Sequence, residues 1–476
     1  MVTYQDLLEV EERDEARMDF VRRVIADHKT SDLYQNAQIA YEYDKKKNVT
    51  IMEYRKLLYT ITGEVVPDNY SANYKIVSSF FNRFVLQENQ YLLGNGITWQ
   101  EDDTTEKLGD KFDYKLQKLG HDALVGGVSF GFWNFDHLEN FNVLEFAPLY
   151  DEEDGAMKAG VRFWQMEGGR PLRATLYELD GYTDYIWRPE EEGAVLHEKR
   201  GYIAKIKSTP ADGDIIYDYE NYPEFPIVPL WGNPQKQSEL VGLREGIDAY
   251  DLIKSGFAND IDDTSLIYWT INNAGGMDDV DLRDFIQHMK TVKAAVVDDD
   301  GARAEAHTMD VPYGSREALL ERLRIDLYED AMALDVRSIA GGAVTATQIK
   351  AAYELLNNKA DMYEYCVLDF LEGILRLADI DDEPTFTRSI VVNTQEGIQN
   401  VLQAAQYLDT HYVTEKLLNL LGDGDRAEEM IKRLEAQEAE MQMGLLEEEN
   451  EDGLGLEEED DDIDSQLNTL LTELGE

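Results

Sequence analysis

The sequence predicts an α+β fold, in which helical regions flank a block of antiparallel strands. Apolar side chains three and four residues apart characterise the first 95 residues and most of the chain after residue 238. Between about residues 98 and 230 the pattern changes to alternation interrupted by turns. An apolar fraction of 43%, with 10% aromatic residues, is enough to build a sizeable core. The length of 476 residues corresponds to about three domains.

The N-terminal region is expected to be helical in several pieces. One helix is predicted within residues 70–97, ending at the glycines at positions 94 and 96. Its apolar positions are Ile76, Phe80, Phe84, Leu86 and Tyr91. The strand block that follows includes GVSFGFWNFD, GVRFWQM, RATLYEL and TDYIWRP.

A helix, an insert and a second helix are predicted next. Ser238 is the expected N-cap of a helix over Glu239–Asp263. The insert should contain strands at 266–271 and 294–297 on either side of a helix over Asp278–Lys290. The second helix should run from Ser315 to Leu334, with Leu319, Leu323 and Leu327 facing inward.

A glycine-containing apolar stretch, residues 336–346, precedes the longest predicted helix. Thr345 and Gln348 form a capping box that starts a helix to Ala378. Its seam keeps heptad spacing through Ile349, Tyr353, Leu356, Ala360, Tyr363, Val367, Phe370, Ile374 and Leu377. A strand over 386–393 and helices over 395–408, 410–421 and 426–441 are expected to follow.

The charge balance excludes several classes of function. With 97 acidic and 44 basic residues the net charge is −53, which argues against tight nucleic-acid binding and adhesion to anionic lipid. Twelve of the 18 residues from 447 to 464 are acidic, so disorder is expected there. For residues 465–474, a short docking helix and a frayed end remain alternatives. A single cysteine, no 18-residue apolar window and no signal-peptide pattern predict a soluble protein made inside the cell.

Sequence motifs for catalysis and cofactor binding are missing. The chain lacks a Walker A motif, a complete dinucleotide-binding glycine loop and a G-x-S-x-G elbow. Its seven histidines are scattered, so neither zinc binding nor histidine-based catalysis is indicated. The acidic triplets near residues 260 and 299 are favoured as solvated loops over hard-cation sites. We therefore expect no catalytic residue, no metal and no cofactor.

Three stretches and the order of the elements resemble the tailed-bacteriophage portal proteins, specifically the SPP1-type portal family. The stretches are NYKIVSSFFNRFVLQENQYLLGNGI, HDALVGGVSFGFWNFD and FPIVPLWGNPQKQSELVGLREGIDAYDLIKSGFANDIDD. The resemblance covers roughly residues 40–410, and the third stretch is the most specific.

The resemblance implies a portal-like arrangement of domains. It assigns residues 1–97 to the N-terminal helical part of the wing, 98–237 to a mainly β wing domain, 238–265 and 313–335 to stem helices, 266–312 to a small αβ clip, 336–344 to a tunnel loop, 345–394 to the long wing helix and a strand, and 395–440 to a helical crown. Residues 441–476 form the acidic tail.

The resemblance also implies a function. Members of the family form homo-oligomeric rings, typically dodecamers, at the capsid vertex of the virion, after assembly in the host cytoplasm. The ring is the channel for DNA packaging and ejection. The implied partners are the terminase motor, head–tail adaptor proteins, the major capsid and scaffolding proteins, and double-stranded DNA that passes without tight binding. No catalytic activity and no membrane contact are implied.

Candidate site residues follow from these assignments. The tunnel loop would comprise Arg337, Ser338, Ile339, Ala340, Gly341, Gly342, Ala343 and Val344. The candidate channel cations are Lys254, Arg337 and Lys350, with salt bridges between subunits as the alternative role. The clip surface that docks the motor would include Asp278, Asp279, Asp281, Arg283, Asp284 and Gln287.

Two other classes of protein remain open at this point. The first is a different acidic ring protein of the virion, an adaptor or scaffold. The second is a hydrolase that uses two carboxylates, whose required separation the sequence does not show.

Overall fold

A computed structural model confirms that helices and strands are mixed in this chain. It describes residues 2–59, 64–68, 71–101, 103–189, 193–208, 216–264, 268–272, 303–307, 313–339, 346–389, 394–421, 424 and 430–433. The chain forms two compact units, Met1–Ile390 and Val391–Glu476. All of the sheets described below belong to the first unit.

The N-terminal region is helical in pieces, as expected, but it also contains a short hairpin. Its helices are α1 (Tyr4–Leu8), α2 (Asp14–Thr30), α3 (Asp32–Asp44), α4 (Val49–Glu53) and α5 (Phe80–Leu93). The antiparallel hairpin joins β1 (Leu57–Tyr59) to β2 (Val65–Pro67). Ser31 starts α3, because its side-chain oxygen accepts a hydrogen bond from the Tyr34 amide.

Two antiparallel sheets follow two further helices. The segment comprises β3 (Ile97–Thr98), α6 (Thr104–Leu108), α7 (Phe112–Gly126), β4 (Val128–Asn134), β5 (His137–Asn142), β6 (Phe146–Tyr150), β7 (Met157–Gln165), β8 (Leu172–Glu178), β9 (Gly181–Trp187), β10 (Ala194–Arg200), β11 (Ile203–Ser208), β12 (Ile216–Glu220) and β13 (Ile227–Trp231). One sheet has the strand order β13-β4-β5 and the other the order β10-β9-β8-β7-β6. β11 and β12 pair as a hairpin.

Long helices dominate the remainder of the first unit. They are α8 (Arg244–Thr264), α9 (Tyr313–Asp330), the single turn α10 (Val336–Ile339) and α11 (Ala346–Ala378). Between α8 and α9, β14 (Tyr268–Asn272) pairs antiparallel with β15 (Arg303–His307). After α11, β16 (Thr385–Phe386) pairs with β3. The second unit contains α12 (Thr394–Ala404), a 3-10 turn (Ala405–Tyr407) and α13 (Thr410–Leu421).

The first unit has two main apolar cores. The larger joins α3, α5, α7 and α11 to the three-stranded sheet, and the smaller lies between α1, α2 and the five-stranded sheet. The predicted seam of α11 is confirmed, since its positions from Tyr353 to Leu377 are all buried and only Ile349 is partly exposed. Each fully buried large apolar side chain contributes about 1.5–3 kcal/mol, so this seam is a major reason why α11 stays helical.

Several predicted boundaries and one predicted inward-facing residue are wrong. The helix predicted within 70–97 begins only at Phe80, and Val85 is buried in place of Leu86, which is 43% exposed. α6 and α7 occupy part of the region that is expected to be mainly strands and turns. Leu319 does not face inward, because its side chain is 47% exposed.

The predicted start of the first long helix is also wrong. α8 begins at Arg244, and residues 239–243 form turns. Ser238 is bound elsewhere, since its hydroxyl donates to the Val125 carbonyl at 2.6 Å and accepts from the Leu240 amide at 3.1 Å. The second long helix ends at Asp330, four residues early, where Met332 adopts a left-handed conformation.

Other predictions are met in part or lie outside the described residues. Of the strand expected over 386–393, Phe386 is in β16, residues 387–389 are not in a strand, and residues 390–393 lie outside the described residues. The helices over 395–408 and 410–421 are present, and residues 430–433 are helical. The strand at 294–297, the helix Asp278–Lys290 and the acidic tail lie outside the described residues.

Candidate functional site

The candidate site is built on α8 and α9, which pack against each other in antiparallel orientation. Near one end of the pair the Phe257 and Tyr313 rings are 5.7 Å apart, and Arg316 forms an ion pair with Asp260. Near the other end Gly246 faces Leu327, and a Cβ at Gly246 would approach the Leu327 Cδ2 to 3.0 Å. Glycine therefore permits the close approach there. At 1.5 Å per residue, α8 is about 32 Å long.

The surface of this helix pair is acidic and partly apolar. The two helices contain eleven acidic and five basic residues. Ile261, Tyr313 and Leu319 are 47–48% exposed, although their side chains are apolar. A polyanion moving past such a surface would be repelled, whereas the exposed apolar groups are suited to contact with another protein surface.

A row of three polar side chains on α8, which we call the α8 ladder, holds the segment 74–78. Asp251, Ser255 and Asn259 are spaced four residues apart and are all buried. Their oxygens accept hydrogen bonds from the backbone amides of residues 78, 76 and 74, at 2.9, 2.9 and 2.6 Å. Burial raises the pKa of the Asp251 carboxyl, and hydrogen bonds from Ser78 and Asn48 oppose that rise. The ladder thus satisfies alternate amides that have no strand partner in this stretch.

The structure brings two of the three candidate channel cations together. Lys254 on α8 and Arg337 on α10 line one cavity of about 460 Å³. The Lys254 ammonium lies over the Tyr250 ring, 5.6 Å from its centroid. The Arg337 amide donates to the Asp335 carboxylate at 3.1 Å. Lys350 is exposed on α11 and is not among the residues that line the cavity.

Two cations of this cavity were missed by sequence reasoning. Arg83 on α5 donates to the Tyr328 hydroxyl at 2.9 Å, and Arg324 on α9 lies between the carboxylates of Glu321 and Asp335. Burial raises the pKa of the Tyr250 phenol, and the guanidinium groups of Arg324 and Arg337 oppose that rise. Because Arg83 and Arg324 are far apart in sequence, no spacing motif connects them.

A second missed feature is a buried ion cluster, formed by Lys359, Glu88 and Glu239. The Lys359 ammonium lies 2.7 Å from a carboxylate oxygen of each glutamate and donates to the Ala331 carbonyl at 3.2 Å. Burial raises the pKa of Glu88 to about 8, against the attraction of Lys359. The cluster joins α5, α11, the turn before α8 and the end of α9.

The remaining predicted site residues fall largely outside the described ranges. Ser338 and Ile339 complete α10, whereas Ala340, Gly341, Gly342, Ala343 and Val344 lie outside them. The same holds for the clip residues Asp278, Asp279, Asp281, Arg283, Asp284 and Gln287. In the acidic triplet near residue 260, Asp260 is paired with Arg316.

The described residues offer neither a metal site nor a membrane-spanning helix. No group of three or more side chains that could hold a metal ion occurs among them. None of the helices within the described ranges combines the length and apolar composition that a membrane crossing requires.

Comparison with known proteins gives one consistent family. The sequence model described as "Phage portal protein, SPP1 Gp6-like" matches residues 22–443. The portal protein of Bacillus phage SPP1 is 26% identical over 444 residues, which cover 85% of each chain. The portal protein of Clostridium phage phiCD119 is 28% identical over 198 residues, which cover 40% of this chain and 44% of that protein.

Among solved structures, a chain in the neck of an empty GTA particle, computed with C6 symmetry, aligns with a TM-score of 0.42 and 12% identity. The alignment covers 72% of this chain and 90% of that chain.

Proposed function

Because the chain belongs to the SPP1 Gp6-like family of phage portal proteins, we propose that its copies form a ring whose central channel conducts double-stranded DNA during packaging and ejection. The ring, a dodecamer as in the family, would occupy the capsid vertex of the virion after assembly in the host cytoplasm. No catalytic role is assigned to any residue. The match over residues 22–443 favours this function over an adaptor, a scaffold or a hydrolase.

The antiparallel pair of α8 and α9 is the observation that best supports a channel. Its eleven acidic residues outnumber its five basic residues, so a ring of such pairs would repel the DNA backbone on every side. Tight binding requires many Lys and Arg contacts to phosphates, and each such contact would slow a moving duplex. An acidic wall therefore suits conduction better than a basic one.

The regions that would contact other proteins follow from the order of elements. The insert from residue 266 to 312, which contains β14 and β15, would dock the terminase motor and later the head–tail adaptors. Residues 336–344, which begin with α10, would form the tunnel loop closest to DNA. The major capsid and scaffolding proteins would contact the outer parts of the ring.

Electron microscopy of the purified full-length protein tests the proposal directly. We expect negatively stained particles to be rings with a stain-filled centre, because the exposed apolar groups of α8 and α9 need a partner surface. Class averages would give the number of subunits. A preparation of monomers at micromolar concentration, with native far-UV circular dichroism, would contradict the proposal.

A further inference from the structure

A cationic cavity lies where α5, α8, α9 and α10 meet. Its volume is about 460 Å³, within the size range of small-molecule sites. Among the described residues that line it, four are basic, namely Arg83, Lys254, Arg324 and Arg337, and Asp335 is the one acidic residue. Since acidic residues outnumber basic ones by 97 to 44 in the chain, this local excess of positive charge runs against the composition.

Three of these cations have no carboxylate in direct contact. Arg324 is neutralised by its ion pairs with Glu321 and Asp335. By contrast, Arg83 donates to a neutral hydroxyl, and Lys254 contacts the face of an aromatic ring. Within the described ranges no direct ion pair joins Arg83, Lys254 or Arg337 to a carboxylate, although Asp251 and Glu321 attract Lys254 and Arg337 from a longer distance.

The first turn of α5 adds partial positive charge to the same cavity. Ser78, Ser79 and Phe80 line the cavity, and the Ser79 side chain makes no capping hydrogen bond to the helix. The helix has 14 residues, so its N-terminus carries a partial positive charge and exposes backbone N–H donors. Backbone donors together with Arg and Lys side chains are the groups that proteins use to hold phosphate oxygens.

We propose that this cavity binds a small phosphate-bearing anion, through Arg83, Lys254, Arg337 and the first turn of α5. The ligand class is a phosphate monoanion or dianion, either free inorganic phosphate or the phosphate group of a nucleotide. The proposal goes beyond the channel function, because it concerns a recessed site within one subunit.

The geometry favours a small anion over duplex DNA. A duplex is much wider than a cavity of this volume, so its backbone phosphates could not enter between four packed elements. A small anion fits within a cavity that the three cations and the helix terminus line together.

Isothermal titration calorimetry on the full-length protein tests the site. Sodium phosphate, AMP and a 20-bp DNA duplex are the probes, titrated at low ionic strength against a chloride blank of equal strength. We expect saturable binding of one anion per subunit and an affinity about tenfold weaker in the Lys254→Gln/Arg337→Gln variant, since two charge-assisted contacts are lost. Binding of phosphate but not of AMP supports the site and identifies free phosphate as the ligand. Binding of both supports the site and shows that it also accepts the phosphate group of a nucleotide.

Lys350→Gln is the matched control, because it removes a cation from an exposed position outside the cavity. It should bind phosphate within about twofold of the wild type. The single variant Lys254→Gln provides the test if the double variant does not fold. Any of three results would overturn the proposal. The wild type binds neither phosphate nor AMP, the wild type and the cavity variants bind equally well, or these residues affect only the binding of the 20-bp duplex.

Discussion

The single ammonium group of Lys359 contacts the side chains of both Glu88 and Glu239, and the pKa of Glu88 is raised. The Glu88 side chain is 2% exposed, and it shares its cation with Glu239. Desolvation therefore dominates, and the pKa of Glu88 rises from 4.5 to about 8. Near neutral pH the protonated form prevails, which leaves the Lys359 charge to Glu239.

Stability should fall as the pH rises through this range, because of Glu88. The folded state holds a proton on Glu88 between about pH 4.5 and 8, and the unfolded chain releases it. The contribution is present at low pH and is lost on approaching pH 8. Between pH 5 and 8 the unfolding free energy of the wild type should fall by roughly 3 kcal/mol more than that of Glu88→Gln. Urea denaturation at each pH measures the difference.

The exposed Glu372 on α11 provides the control for this measurement. Its side chain is 73% exposed, so Glu372→Gln should leave the pH profile of the wild type unchanged. If Glu88→Gln and the wild type had parallel pH profiles, Glu88 would be ionised in the folded protein throughout this range.

At this scale, sequence reasoning found some members of the charged sites and missed others. Lys254 and Arg337 could be selected because they lie in segments of the chain with a recognisable order. Arg83 and Arg324 could not, since folding alone brings them beside the other two. The Lys359 cluster was missed for the same reason, because its acids are on α5 and in the turn before α8.

Among the elements, α11 and α8 show how far periodicity can predict packing. The seam of α11 was predictable because its partners are apolar side chains, which leave a heptad pattern in the sequence. The α8 ladder was not, because its partner is the backbone of residues 74–78. Buried Asp, Ser and Asn side chains look like a solvent-facing stripe until that backbone is known.

Removing the middle acceptor of the α8 ladder should lower the stability of the protein and expose one backbone amide to faster hydrogen exchange. Ser255 is 2% exposed, so Ser255→Ala leaves the partly buried Ile76 N–H without its partner. We expect a loss of about 1–3 kcal/mol in unfolding free energy. Hydrogen exchange should accelerate mainly at the amide of Ile76, which mass spectrometry of peptides spanning residues 71–79 would detect.

The exposed serine at the start of α9, Ser315, is a suitable comparison. Ser315→Ala changes the same side chain at a solvent-facing position and should alter stability by less than about 0.5 kcal/mol. Equal exchange at Ile76 in both variants would mean that the bond to Ser255 does not protect this amide.

For the molecule as a whole, α11 has two faces with different roles. The seam, including Leu356, is buried within the subunit and supports its fold. A second row, Leu355, Met362 and Tyr365, is 38–72% exposed and lies at the same heptad spacing. In a ring of identical subunits, the surface that covers this row would belong to the neighbouring copy.

Charge on the outer row should therefore prevent assembly without unfolding the subunit. We expect Leu355→Glu/Tyr365→Glu to lower the ring population in native mass spectrometry by about tenfold, since buried aromatic anchors dominate interface energies. Far-UV circular dichroism should match that of the wild type. Tyr114, which is 67% exposed on α7, gives the control variant Tyr114→Glu, for which rings should persist. Intact rings in the double variant would exclude this row from the interface.

The spacing of the α8 ladder also limits how α8 can move along its axis. Four helical residues advance about 6 Å, whereas two residues of extended chain advance about 6.6–6.8 Å. Because the two repeats differ in length, they match over only a few hydrogen bonds. A slide of α8 by less than one repeat would break all three hydrogen bonds of the ladder together. A slide by one full repeat would bring Ile247, which has no acceptor, into the position of Asp251. The ladder thus holds α8 against a slide by one repeat toward the C-terminal end of the helix.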